Sequence, residues 1–445
     1  MVFDTERLKV AHLLRRAGFG YSPAELDQYT ALGFDATLEQ LLNPEQVDDS
    51  ATDQIAPPFA LDPTDLSARR QVEPAKRWWF NRMLTTRRPL REKMTLFWHG
   101  HFATANSKVN NAPLMLRQMQ LFRDDGMGSF ETLLRQVTRD PAMLIWLDNR
   151  ENRKAAPNEN YAREVMELFT VGLGNYTEDD VHDGARAFTG YTLDRTFTSI
   201  FRPATHDEGQ KTFLGQTGDL DANDVLGILV RQPATARFIS TKLFRYFVYD
   251  TPDPSTIDRL ARTFISSNFD MRATLRDLFT GPEFLSPQAF HGVIKQPVDF
   301  VAGAIRALGA QNVGTEAIQT LRVMGQDLLN PPDVGGWRGG EAWVNAGTLF
   351  ERFNLAERLA AGRDPTKPLY TDIPGQVAAL GIQDAGALVD HYLDVLTDGD
   401  VTPEARQTLV DYVNSEPLAF DASGLDLKAR GLVHLAMVVP SYQLA

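Results

Sequence analysis

The chain has 445 residues, 43% of them hydrophobic and 10% aromatic, enough to build a large core and to exclude wholesale disorder. A formal charge of −13 argues against nonspecific binding to nucleic acid, which depends on phosphate neutralisation by Lys and Arg. The absence of cysteine excludes disulfides, thiolate metal sites and cysteine nucleophiles, and no apolar run approaches the ~20 residues that cross a bilayer.

Helical periodicity begins at once. The opening Met1-Val2-Phe3-Asp4-Thr5-Glu6-Arg7 has no basic segment followed by an apolar one, so it reads as the start of a cytoplasmic protein without a signal peptide. Ser22-Pro23-Ala24-Glu25 is a capping box with proline at the first helical position. Asp35 is placed to cap a segment carrying Leu38, Leu41 and Leu42, and the Asp- and Pro-rich stretch 47–66 reads as a surface loop. A helix is expected from about Pro74 through Trp78, Trp79, Phe80 and Met83. Pro89 opens another, with Leu90, Met94 and Phe97 on one face, expected to end near Gly100. Ser129 starts a helix that Pro141 stops. Asn158 is placed to cap one from Glu159 to Leu173, with Gly174 as its stop, and Thr177 with Asp180 caps the next.

Between about 192 and 220 the helical period fails. Phe197-Thr198-Ser199-Ile200-Phe201 has strand character and is expected to pair with Lys211-Thr212-Phe213-Leu214 as a hairpin. Helical patterns resume at Asn223 and are interrupted by a Pro/Gly cluster from Asn330 to Gly340. The architecture that follows is mainly α: one large multi-helix domain over 1–445, with a short β-hairpin or irregular insertion around 192–220. Subdivisions at 1–70 and 365–445 are the candidate boundaries within it.

Three polar islands interrupt the apolar pattern. The first is Trp98-His99-Gly100-His101-Phe102. On a continuing helix the two imidazoles face opposite sides; on an extended stretch past a helix end at Gly100 they share a face and form half of a metal site. The other reading is that one histidine caps the helix and the other hydrogen-bonds a buried backbone group. In the second island, Asn160, Arg163, Glu164 and Glu167 fall on one helical stripe, where the carboxylates need a metal, an acid–base role or a salt-bridge network. The third, His206-Asp207-Glu208, lies in the irregular insertion and supplies either turn chemistry or a further ligand. The loop from Asn330 to Gly340 presents Trp337 and Arg338 as a rim over a pocket or as a packed connection. It is not a phosphate loop, and no G-x-S-x-G elbow or HExxH motif is present.

These residues also carry a resemblance. His12-Leu13-Leu14-Arg15-Arg16-Ala17-Gly18-Phe19-Gly20, Phe97-Trp98-His99-Gly100-His101-Phe102, Asn158 through Phe169, Ala185 through Tyr191, His206-Asp207 through Gly215, Gly336-Trp337 and Pro440 through Leu444 occur in order. In this the chain resembles, over nearly its whole length, the large bacterial family catalogued as domain of unknown function 1800. The resemblance carries no settled activity, and its members are often exported. Its motifs coincide with the three islands.

Two functions from different classes are therefore expected. In the first, His99, His101, Glu164 and His206 bind a divalent metal ion, with Glu167 or Asp207 as general base, for metal-assisted hydrolysis or oxidation. A metal-free variant uses Glu164 and a histidine as an acid–base pair. In the second, the islands are structural networks in a noncatalytic binding or scaffold protein, and Trp337 and Arg338 contact a cofactor, small molecule or protein partner.

Overall fold

In the computed structural model, which describes residues 3–415 and 422–445, helix α1 (Glu6–Arg16) begins where the Thr5 hydroxyl accepts the Leu8 amide. The capping box at Ser22 and Glu25 opens Pro23–Leu32 as its residues require. The next helix, Phe34–Leu42, starts before Asp35. Its N-cap is Gly33 at φ 86°, and Asp35 lies inside the first turn, where a carboxylate favours the positive end of the helix.

Helices α2 (Val72–Thr85), α3 (Pro89–His101) and α4 (Ala112–Asp125) are tied together by one buried carboxylate. Glu92 on α3 accepts from Arg123 Nε at 2.6 Å, Arg82 Nε at 3.3 Å and Trp79 Nε1 at 3.1 Å. Burial alone raises the pKa of such a group. Here Arg123 and Arg82 outweigh it and hold Glu92 below the ordinary carboxylate range. Trp98 Nε1 donates to the Gly126 carbonyl at 2.7 Å. Helix α3 ends at His101, beside the expected end near Gly100, but it runs on through Gly100, so the extended stretch that would put both imidazoles on one face is corrected. A single glycine does not end a helix whose flanking residues are packed, and the Phe102 amide still reaches the Trp98 carbonyl at 2.8 Å.

Helix α5 (Phe130–Arg139) is followed at once by Pro141–Trp146, because Asp140 caps the second helix by accepting the Met143 amide. Helix α6 (Asn160–Glu167) is shorter than the expected 159–173. After Glu167 the Phe169 amide returns to Glu164, and Gly172, at φ 77°, donates to Met166, which turns the chain before Gly174. Helix α7 (Glu178–Ala187) has the expected capping box at Thr177 and Asp180.

The insertion contains two hairpins rather than one. Strands β1 (Tyr191–Leu193) and β2 (Ser199–Phe201) pair antiparallel, as do β3 (Lys211–Phe213) and β4 (Gln216–Gly218). The expected pairing of 197–201 with 211–214 gives way to pairing with the nearest neighbour. Leu214 and Gly215, both at positive φ, close β3 onto β4 through a two-residue turn.

Beyond it come α8 (Pro233–Phe247), packed on α9 (Pro254–Ser266), then α10 (Pro297–Ala307), α11 (Ala346–Ala361) and α12 (Ala422–Val438). The fold is mainly α with two small antiparallel hairpins. Apolar side chains from Val10 to Met437 join in one core cluster, with Trp79, Phe102, Phe130 and Phe247 among its large members. Among the described residues no helix is long and apolar enough to cross a membrane.

Candidate functional site

Because α3 is continuous, His99 and His101 stand roughly 200° apart around its axis. Both are buried, and each goes to a different neighbour. His99 turns toward the 326–340 segment, where its Nε2 accepts the Leu329 amide at 3.1 Å and its ring lies edge-on to Trp79 and Trp337. Burial pushes its pKa down to about 3, so it is neutral and carries its proton on Nδ1. His101 donates from Nε2 to the Phe169 carbonyl at 3.1 Å and accepts on Nδ1 from Lys242 Nζ at 3.2 Å. Burial, then the Lys242 charge, hold it well below the usual imidazole range. Each ring thus has its one lone pair engaged by an N–H donor, which leaves neither free for a metal ion.

The remaining residues of the islands lie elsewhere. Arg163 on α6 pairs with Glu178 at 2.7 Å and Glu159 at 3.5 Å, not with Glu164. Glu164 is half-buried, and burial with neighbouring Glu167 raises its pKa. Glu167 accepts from the Tyr176 hydroxyl at 2.6 Å. His206 donates from Nδ1 to the Thr189 carbonyl at 2.9 Å, packs on Phe201, and lines a separate cavity with Tyr191 and Arg139. Asp207 is held by Arg186 through both carboxylate oxygens at 2.8 and 3.2 Å. That guanidinium lowers its pKa to about 2, so Asp207 is an ion-pair partner rather than a base. The structure does not bring His99, His101, Glu164 and His206 together as one donor set. Among the described residues no group of three or more His, Asp or Glu is arranged to hold a metal ion.

What it does bring together is a cavity of about 360 Å³ between α3, α8, the residues leading into α10 and the loop 335–343. Phe97, Gly100 and His101 come from α3, and Lys242, Arg245 and Tyr246 from one stripe of α8, at i, i+3 and i+4. Trp337, Arg338 and Trp343 come from the loop. Lys242 also donates to the Leu168 carbonyl at 3.2 Å and stands 4.8 Å from the Phe238 ring centre. Its two polar partners are uncharged, and burial lowers its pKa to about 8. Arg245 donates from Nε to the Asp250 carbonyl oxygen at 2.9 Å, and Arg338 is exposed. Among the described residues none of these three cations makes an ion pair with a carboxylate. Two carboxylates also face the cavity. Asp299 is engaged by Lys93 Nζ at 2.6 Å and Gln296 Nε2 at 3.1 Å, while Asp250 is exposed.

The loop sits against α3 because of a glycine. A Cβ on Gly336, which is at φ 77°, falls 2.2 Å from the Gly100 carbonyl oxygen, so only a bare backbone fits. Trp337 then covers Gly100, its ring 3.8 Å from where a Cβ there would lie. A larger groove of about 860 Å³ lies beside Ser22 and Arg306, but its two charged residues neutralise each other, Arg306 pairing with Glu25 at 2.7 Å.

Trp337 and Arg338 were legible in the sequence as a rim; Lys242, Arg245 and Tyr246 were not singled out. The available signal was a lysine among Leu243, Phe244 and Phe247, a cation on a helix with little polar surface.

Fold and site together define a mainly helical protein with an aromatic cavity faced by cations. The chain belongs to the DUF1800 family, proteins of unknown function, whose pattern matches residues 12–444. No curated protein and no solved structure matches it.

Proposed function

We propose that this protein binds a small organic anion in the cavity between α3, α8 and the loop 335–343. The observation that carries this reading is the convergence of Lys242, Arg245 and Arg338, none paired with a carboxylate among the described residues, on one aromatic-lined cavity of a chain whose net charge is −13. An unneutralised cation in partly desolvated surroundings, as Lys242 is, gains most from an anionic ligand, and the exposed Arg245 and Arg338 add two further donors of the same sign. Phe97, Trp337 and Trp343 supply apolar walls for its body. A volume of about 360 Å³ suits a molecule of small-metabolite size. Binding is better supported than metal-assisted hydrolysis or oxidation, because the imidazole lone pairs that reaction needs are engaged within the protein.

Trp337 and Trp343 provide the readout. Titration with benzoate is expected to give a saturable change in tryptophan fluorescence, and the neutral amide benzamide none. Lys242→Met and Arg338→Ala are each expected to weaken benzoate about tenfold, the ~1.4 kcal/mol of one charge-assisted contact. Failure of benzoate, pyruvate and inorganic phosphate alike to change the fluorescence or the melting temperature overturns the proposal.

A further inference from the structure

Lys242 differs from the two arginines of the cavity in what it can do to a bound molecule. Its Nζ projects from α8 into a partly closed space, held between the His101 ring and the Leu168 carbonyl, with the Phe238 ring beside it. Among the described residues no carboxylate pairs with it, although Asp250 and Asp299 face the same cavity. His101 presents a lone pair to it while its own proton is committed to the Phe169 carbonyl, so the ring orients the amine without charging it. A lysine desolvated in an apolar pocket is a nucleophile toward carbonyl carbon, whereas an arginine is not.

We infer that the cavity takes carboxylated aldehydes or 2-oxo acids and that Lys242 joins them as a Schiff base, with Arg245 and Arg338 holding the carboxylate. This rests on the anion-binding reading above. The step is balanced within the two reactants. The ammonium first gives up one proton to solvent, and the amine lone pair forms a C–N bond to the carbonyl carbon. The carbonyl oxygen then leaves as water, taking one proton from solvent and one from nitrogen, and the C=N bond remains. No oxidant or reductant is consumed. With a pKa of about 8, about a quarter of Lys242 is uncharged at pH 7.5, against about one part in a thousand for an ordinary lysine.

The test is reductive trapping on the full chain, using 4-carboxybenzaldehyde and pyruvate with sodium cyanoborohydride, followed by peptide mapping by mass spectrometry. Lys242 is expected to be labelled at least about ten times faster than the other lysines at equal probe concentration. Excess benzoate, the same anion without the aldehyde, is expected to suppress that labelling and leave the others unchanged. Lys242→Arg keeps the cation and is expected to retain benzoate binding while losing the adduct, with circular dichroism confirming the fold. Labelling spread evenly over the lysines, with saturable benzoate fluorescence intact, overturns the Schiff base and leaves the anion site standing. Even labelling with no response to benzoate overturns both.

Discussion

Lys242 Nζ donates to His101 Nδ1 at 3.2 Å, joining α8 to α3 across 141 residues of sequence through a half-buried amine and a buried, neutral ring. His101 offers the ammonium a lone pair but no countercharge. The contact therefore leaves part of the cost of burying Lys242 unrelieved, and that cost is measurable.

A lysine held at about 8 in the folded chain and near 10.4 when unfolded binds fewer protons folded than unfolded between those values. The destabilisation is fully present below pH 8 and is relieved as pH rises toward about 10.4. Wild type is thus expected to gain stability relative to Lys242→Met over that interval, by up to ~3 kcal/mol. Urea unfolding of both proteins at pH 7 and pH 10 measures it. A constant difference between them contradicts the assignment.

His99 anchors the loop that closes the cavity. Replacing it with Phe removes the acceptor of the buried Leu329 amide, at an expected cost of ~2–4 kcal/mol. Its pKa of about 3 lies below the unfolded value near 6.5, so the neutral form favours folding at pH 7, and that contribution is lost as pH falls from 6.5 toward 3. Denaturation midpoints across that range are expected to fall less steeply in His99→Phe than in wild type. His12 and His101, whose pKa values burial also lowers, keep some slope in the variant.

Two glycines across one contact are expected to respond oppositely. Gly336→Ala drives a methyl into the Gly100 carbonyl at a positive-φ position, and is expected to lower stability by ~2 kcal/mol or more and abolish benzoate binding. Gly100→Ala places its methyl at ordinary contact distance from Trp337 within a helix, where alanine is the better former, so the change is expected between neutral and ~1 kcal/mol stabilising. Thermal melts and the fluorescence titration of both variants decide the matter.

Chelation tests the engaged lone pairs of His99 and His101. Protein purified without a His tag and treated with excess EDTA is expected to keep its melting temperature and its benzoate response. A fall of several degrees, restored by one divalent metal, would instead return these histidines to a metal site.

The helix start at Pro89 was legible because proline suits the first helical position, and those at Pro23 and Glu178 because capping is local. A side chain and an amide three residues away satisfy each other whatever the rest of the chain does. The end of α6 was less so, because its turn depends on Gly172 and not on the more obvious Gly174. The hairpin pairing was misread for a related reason: strand character marks a segment as extended without naming its partner. In the polar islands, residue type flagged His99, His101, Asp207 and Trp337 as unusual. Their roles depended on what stood opposite.

Sequence alone determined that this chain is mainly helical, that it interrupts its helices near 192–220, and that it belongs with the family its ordered motifs resemble. Those properties follow from periodicity and from contacts a few residues long. Tertiary structure decided that the His99 and His101 rings diverge and that each gives its lone pair to a distant N–H. It also decided that Lys242 meets Arg338 and Trp337 around one cavity. The Leu329 amide is 230 residues from His99, and Lys242 is 141 from His101. Whether an imidazole is a ligand, a base or an anchor is set by the atoms facing its two nitrogens, and for both histidines some of those atoms arrive only when the chain folds.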